Sequence, residues 1–146
     1  MLATIAVGLT LMSSAGKLGA PQVLEPKAAC RLAKRTKFPS GRIYSIAGVY
    51  ASDGMHLSEF ELPACDMTLR TVIGDDARAT IAAFHDAFRE KCGGNLMGDH
   101  FSGTFTGTIT RKSAHVFGMS RPMPVNFFVV NTIQTKDGEN PVVCPK

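Results

Sequence analysis

The chain has 146 residues, 45% of them hydrophobic and 19% charged, with 16 basic against 12 acidic residues and a formal charge of +4. This length suits one domain with a sizeable core, and the balance of apolar and charged residues excludes a disordered chain. The 14 glycines and 8 prolines follow no triplet period, which excludes a collagen-like chain and leaves a small globular domain.

Met1 to Met12 is an uncharged apolar run. It is shorter than the roughly 20 residues that cross a bilayer, and it has the length of the apolar region of a secretory signal peptide. Ser13-Ser14-Ala15 offers a small-x-small cleavage site and Ala20-Pro21 a second, with no Lys or Arg ahead of the run. Residues 1–20 therefore read as signal peptide and cleavage region, without a transmembrane anchor, and the protein as periplasmic or secreted. The cysteines agree. Cys30, Cys65, Cys92 and Cys144 all follow the leader, and none forms a C-x-x-C or a zinc-spaced Cys/His pair. Two disulfides are expected, in any of three connectivities.

Residues 21–41 read as a linker, to about residue 26, and then a basic helix over Lys27–Lys37 that Phe38-Pro39-Ser40-Gly41 stops. Lys27, Arg31, Lys34, Arg35, Lys37 and Arg42 occur here with no acid among them. Arg42 to Ala51 is β-branched and aromatic, a strand in which Gly48 marks a bend or bulge. Ser52-Asp53-Gly54 supplies a turn, Met55 to Leu62 the returning strand, Pro63 to Asp66 a second turn, and Thr68 to Ile73 a third strand. Asp75 and Asp76 then precede an amphipathic helix that Gly93-Gly94 closes. Its stripe is Ala77, Ile81, Phe84, Phe88 and Cys92, with His85 at the flank. His100 to Thr110 alternates, with Phe101, Gly103, Phe105, Gly107 and Ile109 on the inner face. Arg111 to Pro124 reads as a loop, Val125 to Thr135 as the last strand.

The order α-β-β-β-α-β-β predicts a mainly β domain with two helices, a five-stranded OB-like Greek-key barrel over residues 42–146. The apolar leader, the hairpin GVYASDGMHLSEFEL and the later alternating strands resemble small secreted bacterial OB-fold-like proteins of unknown function, over roughly residues 42–135. That resemblance implies a barrel whose second and third strands and flanking loops hold a ligand.

Catalytic signatures are missing: there is no G-x-S-x-G, Walker loop, H-E-x-x-H, EF-hand or dinucleotide fingerprint. No catalytic residue, cofactor or metal is assigned, and the sequence reads as a binding module. Arg111, Lys112, His115, Phe117 and Arg121 of the loop, with His56 and Arg70, are the expected binding residues. A polyanion, glycan or protein of the cell envelope is the expected partner. Nucleic acid is disfavoured, because Trp is absent and loss of residues 1–20 would remove Lys17 alone, leaving 15 basic against 12 acidic residues. Two alternatives use other residues. Asp53, His56 and Glu59 around the first hairpin would suit a small hydrolase. His115, Met119 and Met123 would suit Cu(I), which takes thioether and imidazole ligands.

Overall fold

A computed structural model of the chain describes residues 19–52, 58–93, 99–116, 118–135 and 142–144. In chain order these form β1 (Gln22–Leu24), α1 (Pro26–Ala33), β2 (Ile43–Ser52), β3 (Ser58–Leu62), β4 (Met67–Ile73), α2 (Asp75–Cys92), β5 (Asp99–Ala114), β6 (Met123–Gln134) and β7 (Val142–Val143). The fold is mainly β with two helices, as expected, and the strands belong to one mixed sheet in the order β1-β2-β3-β4-β6-β5-β7.

Strand pairing follows the inward residues. β2 runs antiparallel to β5 without a break, from Ile43 opposite Thr108 to Ser52 opposite Asp99. On its other edge β2 pairs with β3, β3 with β4, β4 in parallel with β6, and β6 with β5. The pairings thus lead from β2 around through β3, β4, β6 and β5 back to β2. The residues inside this ring make the core: Ile46, Phe60, Phe101, Phe105, Phe128 and Val130 are each 0–1% exposed. Phe60 lies at its centre, with ring centroids 4.9 Å from Phe105 and 5.0 Å from Phe128, both inclined rather than face to face.

The predicted inner face of the fifth strand is the observed one, with Phe101, Phe105, Gly107 and Ile109 all buried. The bulge, however, lies elsewhere than expected. β2 keeps its register through Gly48, which pairs with Gly103, whereas β5 and β6 shift register between Thr106 and Gly107. Gly48 serves close packing instead: a Cβ there would come within 2.5 Å of the Phe60 ring. At Gly107 a Cβ would overlap the Val129 carbonyl oxygen. No side-chain rotation relieves a clash with backbone, so the bulge admits only glycine.

The two helices lie at opposite ends of the ring, each stapled by a disulfide. α1 buries Ala29, Cys30, Leu32 and Ala33, and Cys30 bonds Cys65 in the turn between β3 and β4. α2 opens two residues earlier than its apolar stripe, with Asp75 and Asp76 in its first turn, where carboxylates suit the macrodipole. The amide of Gly74 just ahead of it donates to the Val130 carbonyl at 2.7 Å. Ala77, Ile81 and Phe88 are buried, and Phe84 and Cys92 pack partly against the core. Phe84, His85 and Phe88 surround Phe101, with His85 edge-on at 5.3 Å. At the far end of α2, Cys92 bonds Cys144 and Lys91 Nζ donates to the Val142 carbonyl at 3.0 Å.

Three sequence readings need correction. Residues 22–24 are a strand, not linker: β1 pairs in parallel with residues 44–46 of β2, the edge that the short β3 leaves uncovered. The basic helix ends at Ala33 rather than at Lys37. The expected loop 111–124 is shorter than read and is strand at both ends, since Arg111, Lys112, Ser113 and Ala114 pair with Asn126, Val125, Pro124 and Met123. Backbone pairing there continues past the last apolar residue, so alternation in the side chains underestimates its length. Residues 1–18 of the leader and cleavage region read over 1–20 lie outside the described residues, and no helix among the described residues is long and apolar enough to cross a membrane.

Replacing Gly107 by Ala is expected to cost about 1–3 kcal/mol or more by overpacking. Urea unfolding of the variant beside Gly103→Ala, which meets only one carbonyl at 2.9 Å, checks this: Gly107→Ala should be the more damaging of the two.

Candidate anion-binding cleft

The basic segment folds back on itself. α1 starts with Pro26 at its first turn, where the missing N–H costs nothing, and Lys27, Arg31, Lys34 and Arg35 stay exposed outside its buried face. The chain then returns through Pro39-Ser40-Gly41-Arg42, a turn closed by the Arg42 amide on the Pro39 carbonyl at 3.4 Å. Gly41 occupies the third position with φ 69°, a left-handed conformation that glycine adopts without strain. The turn delivers Arg42 to the foot of β2, opposite α1. β1 forms the third wall, with Gln22 in register with Tyr44 of β2.

The enclosed space is about 310 Å³ and is lined by Arg31, Arg35 and Arg42 together with Gln22, Tyr44 and Leu32, among others. No carboxylate lines it, and no described acid pairs with any of the three guanidinium groups. All three arginines are exposed, so the cleft is open to solvent. Tyr44 is different, at 3% exposure. No described residue pairs with its hydroxyl, which is not among the sealed, unpartnered polar atoms either; Thr110 Oγ1 is the one such atom among the described residues. Tyr44 lines the cleft although its side chain is otherwise buried.

The end of α1 is held by a side chain from the sheet. Asn126 Nδ2 donates to the carbonyls of Ala33 and Arg35, at 2.9 and 3.0 Å. The Ala33 carbonyl is a helix-end acceptor without an intrahelical partner, and Arg35 lies just beyond the C-cap, so Asn126 fastens both the end of α1 and the chain leaving it. Arg111 Nη1 donates to Asn126 Oδ1 at 2.9 Å, placing a cation near the negative end of the helix. Arg111 is therefore tied to the frame of the cleft rather than presented on a loop.

The other expected binding residues are dispersed. Lys112 is exposed on β5, and His115 and Arg121 are exposed on the connection from β5 to β6. Phe117 and His56 lie outside the described residues, as does Asp53. Arg70 stands on β4 opposite Glu59 of β3, and Glu61 follows on the same side, so that face carries both signs of charge. Of the hydrolase set, Glu59 alone is described. Of the copper set, Met119 and Met123 are 53% and 43% exposed and His115 is exposed as well; no group of three or more His, Cys, Asp or Glu side chains suited to a metal occurs among the described residues. Sequence reading did not single out Arg31, Arg35, Arg42, Gln22 and Tyr44 as a set. The acid-free basic run was the available signal, but the return of Arg42 onto the helix depends on the turn at Gly41.

Comparison with protein families, with curated proteins and with solved structures gives no match.

Asn126→Ala should cost about 0.5–1.5 kcal/mol by removing two hydrogen bonds, one of them exposed, and should loosen the chain around Arg35. Faster tryptic cleavage after Lys34 and Arg35 than in the unaltered protein would register it; unchanged cleavage would mean that Asn126 does not hold the helix end.

Proposed function

We propose that the protein is a small exported binding module, built on an OB-like barrel, that holds an anionic component of the cell envelope in the cleft between α1, β1 and β2. The observation that carries the reading is the convergence of Arg31, Arg35 and Arg42 on one space with no carboxylate. Like charges so gathered repel one another, and an anion relieves that repulsion while taking paired hydrogen bonds from the planar guanidinium groups.

The barrel is supported by the return of the strand pairings to β2 and by the parallel pairing of β4 with β6, separated in sequence by α2. Export is supported by the two disulfides, which persist in oxidising compartments, and by the composition of the first twelve residues. The outer face of β3 and β4 suits an anion less well, because Glu59 and Glu61 stand there beside Arg70.

Titration calorimetry with inorganic phosphate at low ionic strength tests the reading. The double variant Arg31→Ala/Arg35→Ala should bind about tenfold or more weakly, as expected for loss of charge-assisted hydrogen bonds of about 1.5–3 kcal/mol each, taken at the low end because the groups are exposed. Lys112→Ala/Arg121→Ala should bind as the unaltered protein does. Equal weakening by the two pairs would move the site to the β5–β6 connection, and no phosphate binding at all would remove the proposal.

A further inference from the structure

A second polar hollow, of about 290 Å³, adjoins the arginine cleft. The two share Gln22, Pro39 and Arg42 in their walls, so a ligand seated among the arginines extends naturally into the neighbour. The neighbour is of another character. Besides the shared residues its lining is Gly19, Ala20, Ser40, Gly41 and Ile43, which brings backbone amides and carbonyls and one hydroxyl, but no charge of its own. Each hollow alone lies near the lower size limit of small-molecule sites, roughly 300 Å³; joined, they fit a ligand with two parts.

We infer that the ligand is the phosphomonoester of a small sugar or polyol, its phosphate among Arg31, Arg35 and Arg42 and its hydroxyl groups over Ser40–Gly41 and Gly19–Ala20. The inference rests on the anion-binding reading, with cleavage after Ala15 so that Gly19 and Ala20 stay in the mature chain, and narrows it. A phosphomonoester carries close to two negative charges near neutral pH and three strong acceptor oxygens, which suits three guanidinium groups better than a single carboxylate does. Gln22 and the buried Tyr44 stand at the same cleft with further hydrogen-bonding groups. In the adjoining hollow, the glycine-bearing lining and the Ser40 hydroxyl suit a neutral, hydroxyl-rich body better than an aliphatic chain. A second phosphate would find only Arg42 there.

Calorimetry with four probes tests this: inorganic phosphate, glucose 6-phosphate, glucose and glucuronate. Glucose 6-phosphate should bind about tenfold more tightly than inorganic phosphate, the gain expected from a few neutral hydrogen bonds. Glucose should show no binding, and glucuronate should bind more weakly than glucose 6-phosphate. Ser40→Trp, at an exposed turn position, should fill the second hollow, bringing the glucose 6-phosphate advantage to about onefold with inorganic phosphate unchanged; Ala20→Trp serves the same end from the opposite wall should the turn variant fail to fold. Equal affinity of the unaltered protein for phosphate and glucose 6-phosphate would overturn the inference and leave anion binding standing. Glucuronate binding as tightly as glucose 6-phosphate would overturn the phosphomonoester class. An advantage that survives in every folded tryptophan variant would overturn the placement, and silence from all four probes would remove both the inference and the anion reading beneath it.

Discussion

The pairing of β2 with β5 is the constraint on which the other features depend. It runs unbroken along the whole of β2, and it sets the inward residues of the two strands opposite one another, Ile46 against Phe105 and Tyr50 against Phe101. A slip of one residue would turn both rows outward. Because this pairing occupies one edge of β2 completely, the other edge is divided: β3 takes residues 49–52 and β1 takes 44–46. The cleft lies beside that second, shorter partner, where the later part of α1 faces Arg42 at the foot of β2.

α1 would not form alone. Eight residues are too few for a stable isolated helix, and its two cations, Lys27 and Arg31, stand four apart and repel one another. Tertiary anchors supply what the segment lacks. Cys30 fixes the middle of α1 to the β3–β4 turn, Asn126 captures its last carbonyls, and four buried side chains face the sheet. A helix pinned in this way keeps its charges gathered in the folded state, at a cost that a bound anion would reduce. Ligand binding and stability are then linked, so the unliganded protein should be the less stable form.

The elements legible in the sequence were those whose periodicity is enforced by the core. The alternation from Phe101 to Ile109 and the stripe through Ala77, Ile81 and Phe88 reappear as buried faces, because exposing any of these side chains would forfeit burial. Elements without a buried face were not legible. Gln22–Leu24 is a strand because β2 offers an edge, and Val23 within it is 76% exposed. Arg111 to Ala114 extends β5 by pairing with β6 without a buried side chain. Cysteine positions implied two bridges, but the pairing depends on which helix lies at which end of the ring, which is a tertiary fact. The arginine cleft belongs to the same class: the sequence displays its charges, and only the turn at Gly41 brings Arg42 back to Arg31 and Arg35.

The division of labour among the basic residues argues for a site rather than a general polycationic surface. The basic residues lining the cleft are all arginines, held on three supports: α1, its anchored end and the foot of β2. The lysines of the same run, Lys27, Lys34 and Lys37, do not line it and are exposed around it. Guanidinium groups bind in fixed planar geometry, whereas ammonium groups act as hydrated point charges on flexible stems. Such an arrangement has two electrostatic ranges. The lysines contribute a field that draws an anion in and is screened by salt over a Debye length of about 8–10 Å. The arginines, with Gln22 and Tyr44, set which anion stays. Ionic strength should therefore act chiefly on the association rate, and the geometry of the bound group on the dissociation rate.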